Sequence, residues 1–157
     1  MNTRLMVSCL GFSALLFGIG HSPLRLNITD SLPLGLWKIE PITHIERGTH
    51  AFFHSDEGRK LLKPISAVAG DIVQIRSGHP VTVNGREIPN TEAQPDKEPW
   101  PDGTYTVKPG EVWLFSSYNI KSYDSRYFGP VSVSTIQGEA IPLLVIDNSA
   151  KATGGPL

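Results

Sequence analysis

Asn84 and Gly85 stand between two short runs of strand-forming residues, Val81-Thr82-Val83 and Arg86-Glu87-Ile88, and they commit the middle of the chain to antiparallel β-structure. A two-residue hairpin whose twist matches its strands needs positive φ at both central positions, which Asn tolerates and Gly adopts freely. The spacing therefore predicts a hairpin over 81–88. The remainder of the chain points the same way. With 15 Gly and 13 Pro, and no long run of strong helix formers after residue 20, strands and turns are expected over helices.

Further strands are predicted at 36–39 and at 49–53, separated by Pro41 and Gly48. The apolar stretch 60–75 reads as two strands divided at Gly70-Asp71, since Pro64 would break a helix interior. His54 to Gly58 is a polar turn, and 89–103 is polar and Pro-rich, as an insertion or surface loop would be. Strands follow at 105–107 and 111–115 around Lys108-Pro109-Gly110, then a polar and aromatic cluster at 123–131, a last strand at 136–145 and a frayed tail at 148–157. The expected architecture is a mostly-β domain of antiparallel sheets and hairpins, with no internal repeat.

Ahead of that domain, residues 5–20 carry no charge, and Arg4 precedes them. The stretch is shorter than the about 20 residues of a full membrane span and close to the core of a signal peptide. Arg4 on its amino side orients the N-terminus to the cytoplasm and sends the rest of the chain across the membrane. Gly18-Ile19-Gly20 offers a small-residue cleavage site, so a retained anchor and a removed signal both remain open. Residues 1–22 are therefore assigned to a signal or membrane anchor and 23–157 to one extracytoplasmic domain. Cys9, the only cysteine, lies in the apolar segment, which excludes an intrachain disulfide and a cysteine metal site. Lys plus Arg number 14 against 15 Asp plus Glu, with no block of one sign, so no nucleic-acid partner is expected.

Ser31 lies in Asn27-Ile28-Thr29-Asp30-Ser31-Leu32-Pro33-Leu34-Gly35-Leu36-Trp37, just after the apolar segment. Pro33 fixes its own φ and steers Leu32 toward an extended conformation, while Gly35 permits a bend closed to other residues. A serine needs a base to become a nucleophile. Five histidines, at 21, 44, 50, 54 and 79, sit in no recognisable triad setting. A lysine serves only when neutral, and at a pKa of about 10.4 only about 1 in 2500 molecules qualifies at pH 7. Burial can supply the roughly 3 kcal/mol that brings the value to about 8. Lys63 has suitable surroundings, because on an extended chain it shares a face with Leu61 and Ile65; the bland alternative is an ammonium reaching water from an edge strand. His50 and His54 have the spacing of a helical zinc pair, but Ala51-Phe52-Phe53 reads as strand, so neither a metal nor a cofactor is expected. Asp124 and Arg126 are expected to form a charge pair that fixes their loop, and Ser122 can accept a hydrogen bond from an amine without charging it.

Three separated pieces, 27–37, 61–71 (LLKPISAVAGD) and 122–131 (SYDSRYFGPV), resemble in order and spacing the type I signal peptidases, the serine-lysine proteases of the S26 class. The Thr-x-Ser-x-Pro-x-Gly-Leu-Trp form of the first piece is most similar to the conjugative-transfer, TraF-like branch. The resemblance implies a signal-peptidase-like or LexA-like β fold. It implies Ser31 as nucleophile, Lys63 as general base and Ser122 as the hydroxyl that orients the lysine. The Thr29 hydroxyl and the Ser31 N–H would form the oxyanion hole, and Asp124 with Arg126 would support the site. Where general signal peptidases carry Gly-Asp-Asn-Arg-Asp, this chain has Ser116-Ser117-Tyr118-Asn119-Ile120, which agrees better with a dedicated substrate than with ordinary secretory precursors.

The implied activity is cleavage of a membrane-inserted, pilin-like precursor from the periplasmic side of the inner membrane, or from the periplasm if the N-terminal segment is removed. Either water or the amino terminus of the same substrate would resolve the acyl-enzyme, the latter closing a ring. The rival readings are a general signal peptidase, a non-catalytic assembly module of a conjugation or secretion apparatus, and a self-cleaving serine-lysine protein of the repressor type. The last suffers from the lack of a DNA-binding domain ahead of Ser31.

Overall fold

The computed structural model describes residues 23–55 and 58–146. The apolar N-terminal segment with its cleavage site, His21, the 148–157 tail and two residues of the 54–58 turn lie outside the described residues. Strands β1 (Leu24–Asn27), β2 (Leu34–Glu40), β3 (His50–His54), β4 (Lys60–Ala67), β5 (Ile72–Ile75), β6 (Thr82–Val83), β7 (Arg86–Glu87), β8 (Gly103–Thr106), β9 (Glu111–Leu114), β10 (Val131–Ser132) and β11 (Ile136–Ile146) form two antiparallel sheets. The larger has the order β1-β2-β11-β3-β4-β9-β10 and the smaller β7-β6-β5-β8. The chain is thus mostly antiparallel β, as its Gly/Pro punctuation predicts.

The 81–88 hairpin forms as expected, with Asn84 at φ 50° and Gly85 at φ 76°, and with Val83 opposite Arg86. Asn84 does more than turn. Its amide donates to Asp71 Oδ1 at 2.9 Å and accepts the Ile72 N–H, while Arg47 grips the same carboxylate, so one polar cluster joins the 84–85 turn and the 70–71 turn to the loop before β3. The 60–75 stretch divides into β4 and β5 at Gly70-Asp71, with Pro64 inside β4. Residues 60–64 pair with β3, whereas Ile65 and Ala67 pair with β9.

Strand β9 ties the core together. Val112 and Leu114 pack with Ala51, Phe53 and Ile65, while Trp113 and Phe115 pack on the other side with Val73, Ile75 and Val107. Alternating side chains of one strand thus enter two clusters, which is why this run is apolar without interruption. Leu32, Trp37 and Ala140 form a third, smaller cluster beneath the Ser31 loop.

Three features differ from the sequence reading. Gly35 makes no bend: it lies within β2 at φ 141°, and a Cβ there would stand 2.1 Å from the Leu144 carbonyl oxygen of β11, so close backbone approach demands the glycine. The 89–103 stretch has no regular structure before Gly103, yet it is more than a surface insertion. Thr91 is buried, the Asn90 and Glu92 carbonyls face Arg126, and Trp100 packs edge-on against Trp113. Finally, β1, β10 and a short helix α1 (Ser125–Phe128) were not anticipated. Among the described residues no helix is long and apolar enough to cross a membrane. Leu24, Leu26, Ile28, Leu143, Leu144 and Ile146 are nonetheless large, apolar and exposed, and the register of β1 and β11 on β2 gathers them at one end of the large sheet.

Candidate active site

Strands β1 and β2 make a hairpin whose six-residue tip, 28–33, carries Ser31. Asn27 closes the base of this tip opposite Gly35. Its Nδ2 faces the carbonyls of Thr29 (3.1 Å), Leu32 (3.1 Å) and Pro33 (3.0 Å), and its Oδ1 accepts both the N–H (3.2 Å) and the hydroxyl (2.8 Å) of Thr29. Leu32 anchors the tip from below by burying its side chain against Trp37. Across the site, the buried Ser116 hydroxyl donates to the Ser31 carbonyl. Two polar side chains from opposite directions therefore hold the backbone around Ser31.

Lys63 lies in β4 between Leu62 and Pro64, and it alternates with Ile65 and Ala67 into the interior. It is 2 % exposed, so it does not reach water from an edge strand. Its Nζ donates to the Ser122 hydroxyl at 2.8 Å, a neutral partner that supports an amine without requiring its charge. Burial lowers the Lys63 pKa from 10.5 to about 8; the nearby Asp124 carboxylate opposes the shift and Arg126 reinforces it. At that value roughly one molecule in ten carries the free amine at pH 7, about 300 times more than for an ordinary lysine.

Behind Ser122, Asp124 caps α1 by accepting the Arg126 N–H and forms a two-point ion pair with the Arg126 guanidinium, both contacts at 2.8 Å. Both side chains are buried. Arg126 directs its remaining donors to the carbonyls of Asn90, Glu92, Ile120 and Ser116. Asp124 also accepts the Ser116 N–H at 3.0 Å. A buried charge pair with every donor satisfied is a rigid mount, and it sets both Ser122, which meets the lysine, and Ser116, which meets the Ser31 loop.

A cavity of about 490 Å³ is lined by Thr29, Ser31, Phe52, Lys63, Ser122 and Tyr123, among others. The structure thus brings Thr29, Ser31, Lys63 and Ser122 to one cavity, with Asp124 and Arg126 packed behind it. Two details depart from expectation. No hydrogen bond joins Ser31 Oγ to Lys63 Nζ, whose side-chain partner is Ser122, and the Thr29 hydroxyl hydrogen is directed to Asn27. Sequence reasoning also passed over Asn27 and Ser116. Asn27 was visible as an Asx-turn former four residues before the serine, whereas nothing local marks Ser116.

No histidine among the described residues lines the cavity: His50 packs its ring edge-on to Trp37, and His54 bonds Gln137. Nor do the described residues hold a group of three His, Cys, Asp or Glu side chains suited to a metal.

The family model for signal peptidase, peptidase S26, matches residues 2–144. The conjugal transfer protein TraF of Agrobacterium fabrum is 32% identical, the match covering 78% of this chain and 83% of that one. A plasmid transfer protein TraF of Escherichia coli is 31% identical over 85% of this chain and 90% of its own. A solved signal peptidase I from Enterococcus faecalis shares 22% identity, with a TM-score of 0.45 over 62% of this chain and 97% of that one. On the family match and these identities, the chain belongs to the signal peptidase family S26, in the branch of the conjugal-transfer TraF proteins.

Proposed function

We propose that this protein is a serine endopeptidase of a conjugative-transfer system, with Ser31 as nucleophile and Lys63 as general base, acting on a membrane-inserted pilin-like precursor. The observation that carries this reading is Lys63: a buried amine, its pKa drawn down to about 8, held by a neutral hydroxyl in the cavity that Ser31 also lines. Lys63 donates to Ser122 through one N–H and keeps its lone pair for the Ser31 proton. Transfer requires the Ser31 hydroxyl to come within about 3 Å of the amine, a contact the reaction has to make. The serine oxygen then bonds to the scissile carbonyl carbon, the Ser31 N–H and the Thr29 hydroxyl stabilise the oxyanion, and Lys63 returns the proton to the leaving amine.

The acyl-enzyme is resolved by water, or by the free amino terminus of the same substrate, which closes a ring. Residues 60–63 of β4 line the cavity and, among the described residues, have a strand partner on one edge only, so an extended peptide has an edge to join. The exposed apolar end of β1 and β11 supports action at the bilayer, with residues 1–22 as signal or anchor and the catalytic domain on the periplasmic face. The names of the relatives support the link to conjugation.

The test follows precursor maturation in cells producing Ser31→Ala or Lys63→Ala, each checked for folding and membrane location. Loss of maturation in both is expected. Normal processing by either variant overturns the reading in favour of a non-catalytic assembly role. Mass spectrometry of the mature product separates the two resolutions, since the ring lacks one water.

A further inference from the structure

Asn27 sits at the base of the Ser31 loop with every polar atom of its amide engaged, and its partners fix which way the amide faces. Oδ1 meets two donors, the Thr29 N–H and hydroxyl, while Nδ2 meets three carbonyl oxygens, those of Thr29, Leu32 and Pro33. The opposite orientation would set donors against donors and oxygens against oxygens. The amide therefore spans the loop on both sides of Ser31. It also accepts the hydrogen of the hydroxyl assigned above to the oxyanion.

Resting on that assignment, we infer that Asn27 is a positioning residue for the cleavage reaction: it braces the 29–33 backbone and holds the Thr29 hydroxyl on a neutral acceptor from which an oxyanion can draw it. A neutral carbonyl is the weaker acceptor of the two, because hydrogen bonds to a charged oxygen are roughly twice as strong. The hydroxyl is thereby kept beside the nucleophile and surrenders its hydrogen only as negative charge develops. That is the differential interaction that accelerates a chemical step rather than binding.

Two substitutions separate this role from loop stability. Asn27→Asp keeps the shape but places a carboxylate against three carbonyls and gives Thr29 a charged acceptor that competes with the oxyanion. Asn27→Gln keeps the amide but moves it outward by one methylene. Full-length protein in detergent is assayed with a fluorogenic peptide spanning the mature terminus of the major pilin of the same transfer system, and each variant is first checked by thermal melting.

The expected result is a fall in kcat of about 30-fold or more for N27D, and of about tenfold for N27Q, with KM within about threefold of wild type. Thr29→Val alone lowers kcat about 30-fold or more, and Thr29→Ser restores most of it. Added to N27D, T29V costs less than about threefold further, because the hydroxyl is already withheld from the oxyanion. A folded N27D or N27Q with wild-type kcat overturns the inference, as does a T29V effect that multiplies fully with N27D. Should N27D not fold, N27Q carries the test. Ser31→Ala run in parallel keeps the two questions apart: if it still cleaves, the catalytic assignment fails, and if it is dead while the Asn27 variants are fully active, only the Asn27 role fails.

Discussion

Replacing Lys63 with methionine is predicted to stabilise the folded protein while abolishing cleavage. The amine is 2 % exposed and its pKa is lowered by burial from 10.5 to about 8, so folding at pH 7 disfavours a charge that the unfolded chain carries freely. Lowering the pKa by that amount corresponds to about 3 kcal/mol. Methionine of similar length removes this penalty and gives up the hydrogen bond to Ser122, a loss of about 1 kcal/mol. A net gain of about 2 kcal/mol at pH 7 remains, or roughly 1 M in the urea midpoint.

The sign follows from linkage. A basic group whose folded pKa is depressed imposes its full penalty below that folded value and releases it as pH rises toward the unfolded one. The window here runs from about pH 8 to 10.5. The advantage of Lys63→Met shrinks by about 1 kcal/mol between pH 7 and pH 9. Urea unfolding of the full chain in detergent, followed by tryptophan fluorescence at both pH values, measures this directly. A variant no more stable than wild type at pH 7, or a gap unchanged at pH 9, refutes the view of Lys63 as a buried amine held against its charge.

Three further outcomes follow from the same structure. The kcat/KM of the wild-type enzyme rises about tenfold per pH unit up to about pH 8 and levels off above it, as Lys63 loses its proton; a profile flat from pH 6 to 9 would contradict this. Arg126→Met leaves the Asp124 carboxylate buried without its partner and lowers stability by about 3–5 kcal/mol in chemical unfolding, so a change under about 1 kcal/mol would deny the pair its structural role. Gly35→Ala drives a methyl into the Leu144 carbonyl at a φ of 141°, and costs more than the about 1–3 kcal/mol of ordinary overpacking; wild-type stability would show that β2 and β11 can separate at no cost.

What could be read from the sequence was what local chemistry dictates. Asn84-Gly85 announced its turn because positive φ is a property of two adjacent residues, while the apolar neighbours of Lys63 at i±2 allowed its burial without excluding an ammonium at the surface, and the structure decided for burial. Ser31, Lys63 and Ser122 became recognisable together only through the order of three separated pieces resembling one family. Two of the misses share one cause: they are contacts made with backbone. Arg126 uses the carbonyls of Asn90 and Glu92, so a polar, Pro-rich stretch that composition assigns to the surface is in fact part of the support for the site. Ser116 reaches the Ser31 carbonyl across 85 positions, and no side-chain pattern records which carbonyl a hydroxyl will meet. Strand β1, four residues long, alternates in the inverse sense, with both leucines exposed and Arg25 and Asn27 half-buried, so its apolar residues do not mark a core-facing side.

The guanidinium of Arg126 gathers oxygens from residues 90, 92, 116 and 120, and so it cannot be satisfied until the central span and the later loop have both arrived. The tip that carries Ser31 is braced largely by its sequence neighbour Asn27, whereas the hydroxyl that meets Lys63 sits on a mount drawn from distant segments. The seat of the buried lysine is thus a property of the whole domain and not of the hairpin that carries Ser31.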